Sequence, residues 1–161
     1  MKLKEYQERA LGLLPGSVGV KQFVEELVVW RKKAREADEW LFDFAEKAWD
    51  KIGVGRTYLK KKDGLGRPLP VFCLKIPTGG GKTLLAVKTI DLVQSLYRQQ
   101  QTGLVVWIVP TLQIYRQTLQ RLKDREDPYR QHLDMVSAGK TLILDKTDGF
   151  TPPDVEEHLA V

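Results

Sequence analysis

The sequence predicts an α/β protein, a partial parallel sheet with flanking helices preceded by a helical N-terminal segment. Two apolar runs carry the strand side of that prediction, Val71-Phe72-Cys73-Leu74 and Gly103-Leu104-Val105-Val106-Trp107-Ile108-Val109. Near-continuous apolar runs of that length fit strands buried on both faces of a parallel sheet. The helix-compatible residues 83–100 lie between them, and strand–helix–strand order calls for a right-handed crossover. The third observation is the stretch 18–52, which lacks proline and places Leu41, Phe44, Ala45, Ala48, Trp49 and Ile52 at helical spacing.

From front to back, residues 3–14 form a short amphipathic helix pattern stopped by Pro15-Gly16-Ser17. Residues 18–52 then read as one long helix or two joined ones. Trp30, Trp40 and Trp49 within it read as core anchors rather than base-stacking platforms. The cluster Arg31, Lys32, Lys33 and Arg35 is followed at once by Glu36, Asp38 and Glu39, the mixed charge of a solvated helix face. Gly53 and Gly55 end the helical stretch. Residues 58–64 read as a strand entering an Asp63-Gly64 turn, with Lys60, Lys61 and Lys62 at an exposed hairpin tip. Pro110-Thr111 ends the second apolar run, and residues 112–123 form the next helix. Residues 124–128 are a polar break, and Thr141-Leu142-Ile143-Leu144-Asp145 is a further short strand. Thr151-Pro152-Pro153-Asp154 starts a helix, and Leu159-Ala160-Val161 opens another apolar strand.

Between the first apolar run and the helix after it stands Lys75-Ile76-Pro77-Thr78-Gly79-Gly80-Gly81-Lys82-Thr83. Strand, glycine loop and helix in that order make a phosphate-binding loop. Glycines let backbone N–H groups wrap an anion, and the following helix points its positive end at the same place. Lys82 would reach the β- and γ-phosphates of a nucleotide, and the Thr83 hydroxyl would hold Mg2+. The strict pattern has a small residue where Ile76 stands. The competing reading is a flexible glycine turn.

At 161 residues the chain is one domain, or one domain with an appendage. A net charge of +5 and a pI of about 9.3 admit an acidic partner such as nucleic acid without demanding one. The single cysteine, Cys73, is expected to be buried in its strand; it rules out an intramolecular disulfide and fits a reducing, cytoplasmic setting. No apolar run is long enough to span a membrane, and the N-terminus lacks the apolar core of a signal peptide. His132 and His158 are far apart, are expected to be exposed or partly packed, and point to no metal beyond Mg2+.

Three segments in order resemble the N-terminal motor domain of superfamily 2 helicases. Pro77-Thr78-Gly79-Gly80-Gly81-Lys82-Thr83 matches that superfamily's phosphate loop, which tolerates a non-glycine at the position of Ile76. Pro110-Thr111, Ile114 and Gln117 are similar to its Pro-Thr-x-x-Leu-x-x-Gln motif, which contacts the nucleic-acid backbone; read alone, Pro110-Thr111 is equally an ordinary strand-to-helix turn with Thr111 as cap. Leu3-Lys4-Glu5-Tyr6-Gln7 is similar to the Leu-Arg-x-Tyr-Gln segment whose Gln recognises adenine, so Gln7 takes that role by resemblance. The segment around the loop and the long helical insert before it look most like the type III restriction enzyme Res subunit group.

The resemblance implies a RecA-like domain that binds ATP and Mg2+ and acts on nucleic acid, DNA in that group, with a modification (methyltransferase) subunit as a further partner. It divides the chain into a helical segment over residues 1–56, bearing the adenine motif, and an incomplete RecA-like ATP-binding domain over residues 57–161. The family's Asp-Glu motif is missing: Asp145 is followed by Lys146, and Asp154, Glu156 and Glu157 follow a Pro-Pro turn. The second motor domain with its arginine finger is absent too, and the chain is therefore expected to be a fragment. Two rivals stand beside the motor reading, a stand-alone nucleotide-binding or interaction module and a small-molecule kinase. Lacking the acidic motif and the finger, the chain is expected to hydrolyse ATP very slowly or not at all; steady turnover that disappears in Lys82→Ala would contradict this.

Overall fold

The computed structural model describes residues 2–37 and 42–161, so Asp38, Glu39, Trp40 and Leu41 lie outside the described residues. The chain divides into two compact units, Lys2–Leu85 and Ala86–Val161.

The first unit is built on three helices. α1, Glu5–Leu11, is closed by Gly12 in the left-handed region (φ 73°). α2, Val20–Glu36, buries Val20, Phe23, Val24 and Leu27, a stripe at helical spacing. α3, Phe44–Ile52, starts where the Asp43 carboxylate accepts the Ala45 and Glu46 N–H groups, and stops at Gly53. The expected helical stretch is thus two helices. Phe23 is the hub between them: its ring meets Trp49 edge-on at 5.5 Å, Phe72 at 5.8 Å and Tyr58 at 6.2 Å. Trp49 is a core anchor, with its indole N–H donating to the Arg56 carbonyl at 2.6 Å. The Tyr58 hydroxyl accepts the Val71 N–H at 2.8 Å, and burial pushes its pKa up. The Asp63 turn forms as predicted, but the strand expected over 58–64 is reduced to a single bridge between Lys62 and Pro68. The Asp63 carboxylate accepts the Arg67 N–H, the Arg67 guanidinium and the Leu65 N–H, and these bonds, the first above all, hold its pKa below the usual carboxylate range. Lys60, Lys61 and Lys62 are exposed as expected, and Lys60 pairs with Glu46 at 2.8 Å.

The expected buried strand at residues 71–74 is not formed. The segment is extended but unpaired, Phe72 and Leu74 are half-buried, and Val71 and Cys73 are exposed. The reason is local: one face of the segment packs against the Phe23 cluster, and within residues 2–85 no strand lies alongside to cover the other.

The second unit holds a parallel sheet. α4, Lys82–Leu92, enters from the first unit and ends in a π-helical turn, Val93–Arg98. The buried Gln94 amide donates to the Gln100 and Thr102 carbonyls and steers the chain into β1, Gly103–Leu104. Then come α5 (Leu112–Lys123), α6 (Pro128–Val136), β2 (Thr141–Leu142), α7 (Pro152–Glu157) and β3 (Leu159–Ala160). The strand order is β1-β3-β2, all parallel. The core is Val87, Leu122, Leu133 and Leu159, with Val105, Trp107 and Ile143 packed on it.

Three expectations change here. The run 103–109 is covered on one face only: Val105 and Trp107 face the core, whereas Val106 is 70% and Ile108 87% exposed, so it is not buried on both sides. Residues 128–136, to which the sequence pattern assigns no element, form α6, because Asp127 caps Tyr129 N–H at 2.8 Å and Pro128 occupies the first turn, where it needs no hydrogen bond. His132 on that helix is buried rather than exposed; its Nε2 donates to Asp91 at 2.8 Å, because Lys88 at 3.4 Å can only donate to Nδ1.

Arg130, also buried, ties this unit together by donating to the Leu122 and Thr141 carbonyls and to Asp134. Arg130→Ala strands two buried carbonyls and is expected to cost about 3 kcal/mol. Arg121→Ala, which removes an exposed pair with Asp127, is expected to cost under about 1 kcal/mol. Urea unfolding of the two variants checks the contrast, and equal midpoints would refute it.

Candidate nucleotide-binding site

The first unit builds the glycine loop from its backbone outward. Gly80 N–H donates to the Pro77 carbonyl at 3.0 Å and closes a tight turn. Gly79 (φ 76°) and Gly81 (φ 79°) both lie in the left-handed region, where a Cβ would crowd the following carbonyl. The Gly81 carbonyl then accepts Leu85 N–H at 3.0 Å and starts α4. The first N–H groups of α4 have no acceptor within the helix, so its positive end is available to an anion beside the loop.

Two side chains of α1 grip this loop. The Tyr6 hydroxyl donates to the Gly80 carbonyl at 3.1 Å and Gln7 Nε2 donates to the same oxygen at 3.0 Å. Gln7 Oε1 accepts Lys4 N–H at 2.9 Å. Those partners fix the amide: the oxygen must face the N–H and the nitrogen the carbonyl. Gln7 is 4% exposed and packs so closely that a Cβ on Gly81 would collide with its Nε2. A Cβ on Gly80 would lie 2.5 Å from Ile76 Cγ2. Ile76, the residue that breaks the strict pattern, thus fills the space that Gly80 leaves.

Pro77, Thr78 and Gly79 are exposed on the rim, Gly80 is buried, and Gly81 is half-buried. Lys82, the first residue of α4, is exposed and makes no ion pair or side-chain hydrogen bond among the described residues; Thr83 beside it is half-buried. No carboxylate occurs in sequence between Asp63 and Asp91, while Lys75, Lys82 and Lys88 do. The local charge is positive, as a polyphosphate requires. Among the described residues no group of three or more His, Cys, Asp or Glu side chains could hold a metal. The loop's own offer to Mg2+ is the Thr83 hydroxyl, the type of oxygen donor that ion takes alongside phosphates. Loop, ammonium and hydroxyl are chemically suited to a Mg2+-bound nucleotide.

Pro110, Thr111 and Gln117 belong to the second unit and are all exposed. Thr111 caps α5, its Oγ1 accepting Ile114 N–H at 3.3 Å, and its hydroxyl proton remains available to an outside acceptor. Asp145 is committed elsewhere: it accepts the Thr147 N–H and hydroxyl and the Lys123 ammonium at 3.3 Å. The role of Tyr6 was not read from the sequence, although its place next to Gln7 on a seven-residue amphipathic helix was the available signal.

The Thr147 hydroxyl and N–H, with help from Lys123, hold the Asp145 pKa at about 2, below its ordinary 3.8. A depressed carboxyl stabilises the folded turn fully above the unfolded value and loses that contribution as pH falls through the folded one. Thr147→Val is therefore expected to move the Asp145 titration up toward 3.8, followed by carboxyl-carbon NMR between pH 1.5 and 6; an unmoved titration would show that the hydroxyl is not the cause.

A family model described as Type III restriction enzyme, res subunit, matches residues 1–150. No curated protein and no solved structure matches the chain.

Proposed function

The chain belongs to the type III restriction enzyme res subunit family, and from that membership and the loop geometry we propose that it is the ATP-binding part of a motor acting on DNA. The family carries the helicase-like ATP-binding domain of superfamily 2, and the small parallel sheet flanked by helices agrees with a partial RecA-like fold. The observation that carries the reading is the tight turn at 77–80 running directly into the N-terminus of α4, with Lys82 exposed beside it.

In this reading residues 77–83 bind the triphosphate through backbone N–H groups and the Lys82 ammonium, and Thr83 holds Mg2+, which supplies charge neutralisation at the phosphates. Gln7 recognises adenine. Pro110, Thr111 and Gln117 touch the nucleic-acid backbone, contacts that hold a strand without reading its sequence. Residues 1–56 serve as the helical segment bearing the adenine motif and residues 57–161 as the ATP-binding domain. In the complete machine ATP hydrolysis drives translocation, a modification (methyltransferase) subunit is a partner, and the setting is cytoplasmic. Among the described residues no helix is long and apolar enough to cross a membrane.

Two binding measurements test the proposal. ATP binding followed by calorimetry with Mg2+ is expected to weaken at least tenfold in Lys82→Ala, because one of the few charges on the phosphates is lost. Fluorescence anisotropy with labelled single-stranded DNA is expected to show affinity that falls steeply between 50 and 200 mM salt, on the order of the phosphate contacts made. ATP binding without DNA binding would leave a nucleotide-binding module, and neither would sink the proposal.

A further inference from the structure

We propose that Tyr6 is a positioning residue of the phosphate loop, acting with Gln7 to aim the Gly81 N–H into the phosphate cradle whatever base the nucleotide carries. The inference rests on the phosphate-loop reading above and adds to it a residue and a division of labour. Two donors converge on one acceptor: the Tyr6 hydroxyl at 3.1 Å and Gln7 Nε2 at 3.0 Å both reach the Gly80 carbonyl. A carbonyl oxygen has two lone pairs, so these two bonds saturate it. In a trans peptide the C=O and the N–H of the next residue point in opposite directions. Drawing the Gly80 oxygen toward α1 therefore turns the Gly81 N–H away from α1. That N–H makes no backbone hydrogen bond among the described residues, and it sits directly before the unpaired N–H groups of α4.

Glycine makes such a grip necessary. Gly80 and Gly81 have no Cβ, and positive φ is readily accessible to Gly81, so this peptide can flip at small cost unless something outside the loop holds it. The loop's own bond, Gly80 N–H to Pro77 carbonyl, fixes the preceding peptide and leaves this one to the side chains of α1.

The two donors differ in what else they do. Gln7 spends one amide hydrogen on Gly80 and one oxygen lone pair on Lys4 N–H. One hydrogen and one lone pair remain, the complement of an adenine edge. Tyr6 has a single hydroxyl hydrogen, already given to Gly80. Base identity thus touches Gln7 alone, whereas loop geometry depends on both.

The test compares wild type, Tyr6→Phe, Gln7→Ala and Lys82→Ala by calorimetry with ATP, GTP and inorganic tripolyphosphate, each with Mg2+. Tyr6→Phe removes one oxygen and is expected to weaken all three ligands by a common factor, roughly three- to tenfold, with an unchanged melting midpoint. Gln7→Ala is expected to weaken ATP more than tripolyphosphate. A ligand-free readout accompanies it: in Tyr6→Phe the 15N heteronuclear NOE of the Gly81 amide falls, as its peptide is freed. If Tyr6→Phe matches wild type in tripolyphosphate affinity and in the Gly81 NOE, the inference is overturned while the phosphate-loop reading stands. If wild type binds none of the ligands, or Lys82→Ala binds them equally well, the phosphate-loop reading falls. The Tyr6 proposal falls with it, whatever the NOE shows.

Discussion

One carbonyl oxygen, that of Gly80, sets the shape of the candidate site. Everything near it is arranged around access to that atom. Gly81 lacks a Cβ because Gln7 Nε2 needs the space, and Gly80 lacks one because Ile76 Cγ2 stands 2.5 Å from where it would be. α1 is short, and its capping bond is made by the same Gln7 whose other end reaches the loop. The helix start and the loop are therefore one hydrogen-bonded system. Removing either end exposes the same buried amide to an unmet donor or acceptor, which costs more than an ordinary surface bond.

Electrostatics and packing divide the work between the loop and its support. The side proposed to face phosphate is made of N–H groups, a helix dipole and an exposed ammonium, with no carboxylate in sequence from 64 to 90 to compete. The supporting side is neutral, a phenol and an amide, so it shapes the loop without neutralising it. In the same unit the Phe23, Trp49, Tyr58 and Phe72 rings pack together, and the Tyr58 hydroxyl holds Val71 N–H at the start of the segment that leads to the turn.

The helices were legible in the sequence because their signals are local. Gly53 and Thr111 stop and cap helices where the pattern placed the ends, whereas the helix start at Asp43, inside the proline-free stretch, was not located. The strands were less legible. The runs 71–74 and 103–109 announce apolar burial, but which face is covered depends on neighbours distant in sequence, and in both runs one face has no cover within its own unit. α6 was missed because Asp127-Pro128 was weighed as a break, although an acidic cap followed by proline is also how helices begin. The burial of His132 followed from that omission, since its partners Asp91 and Lys88 lie about one turn apart on another helix, and no spacing rule joins residues so far apart. The loop glycines were readable from their motif; the hold that Tyr6 keeps on them was not, because it spans 74 residues.

The order of the sheet bears on how this unit comes to be made. β1 and β2 never touch; each is hydrogen-bonded only to β3, which stands between them though it comes after both in the chain. As the polypeptide leaves the ribosome, residues 103–104 and 141–142 must wait as unpaired segments, with α5 and α6 already able to coil, until residues 159–160 emerge and close both ladders at once. Assembly of this unit is then a single late event rather than a gradual one. A ribosome stalled before residue 159 would present two unmatched strand edges to whatever binds nascent chains.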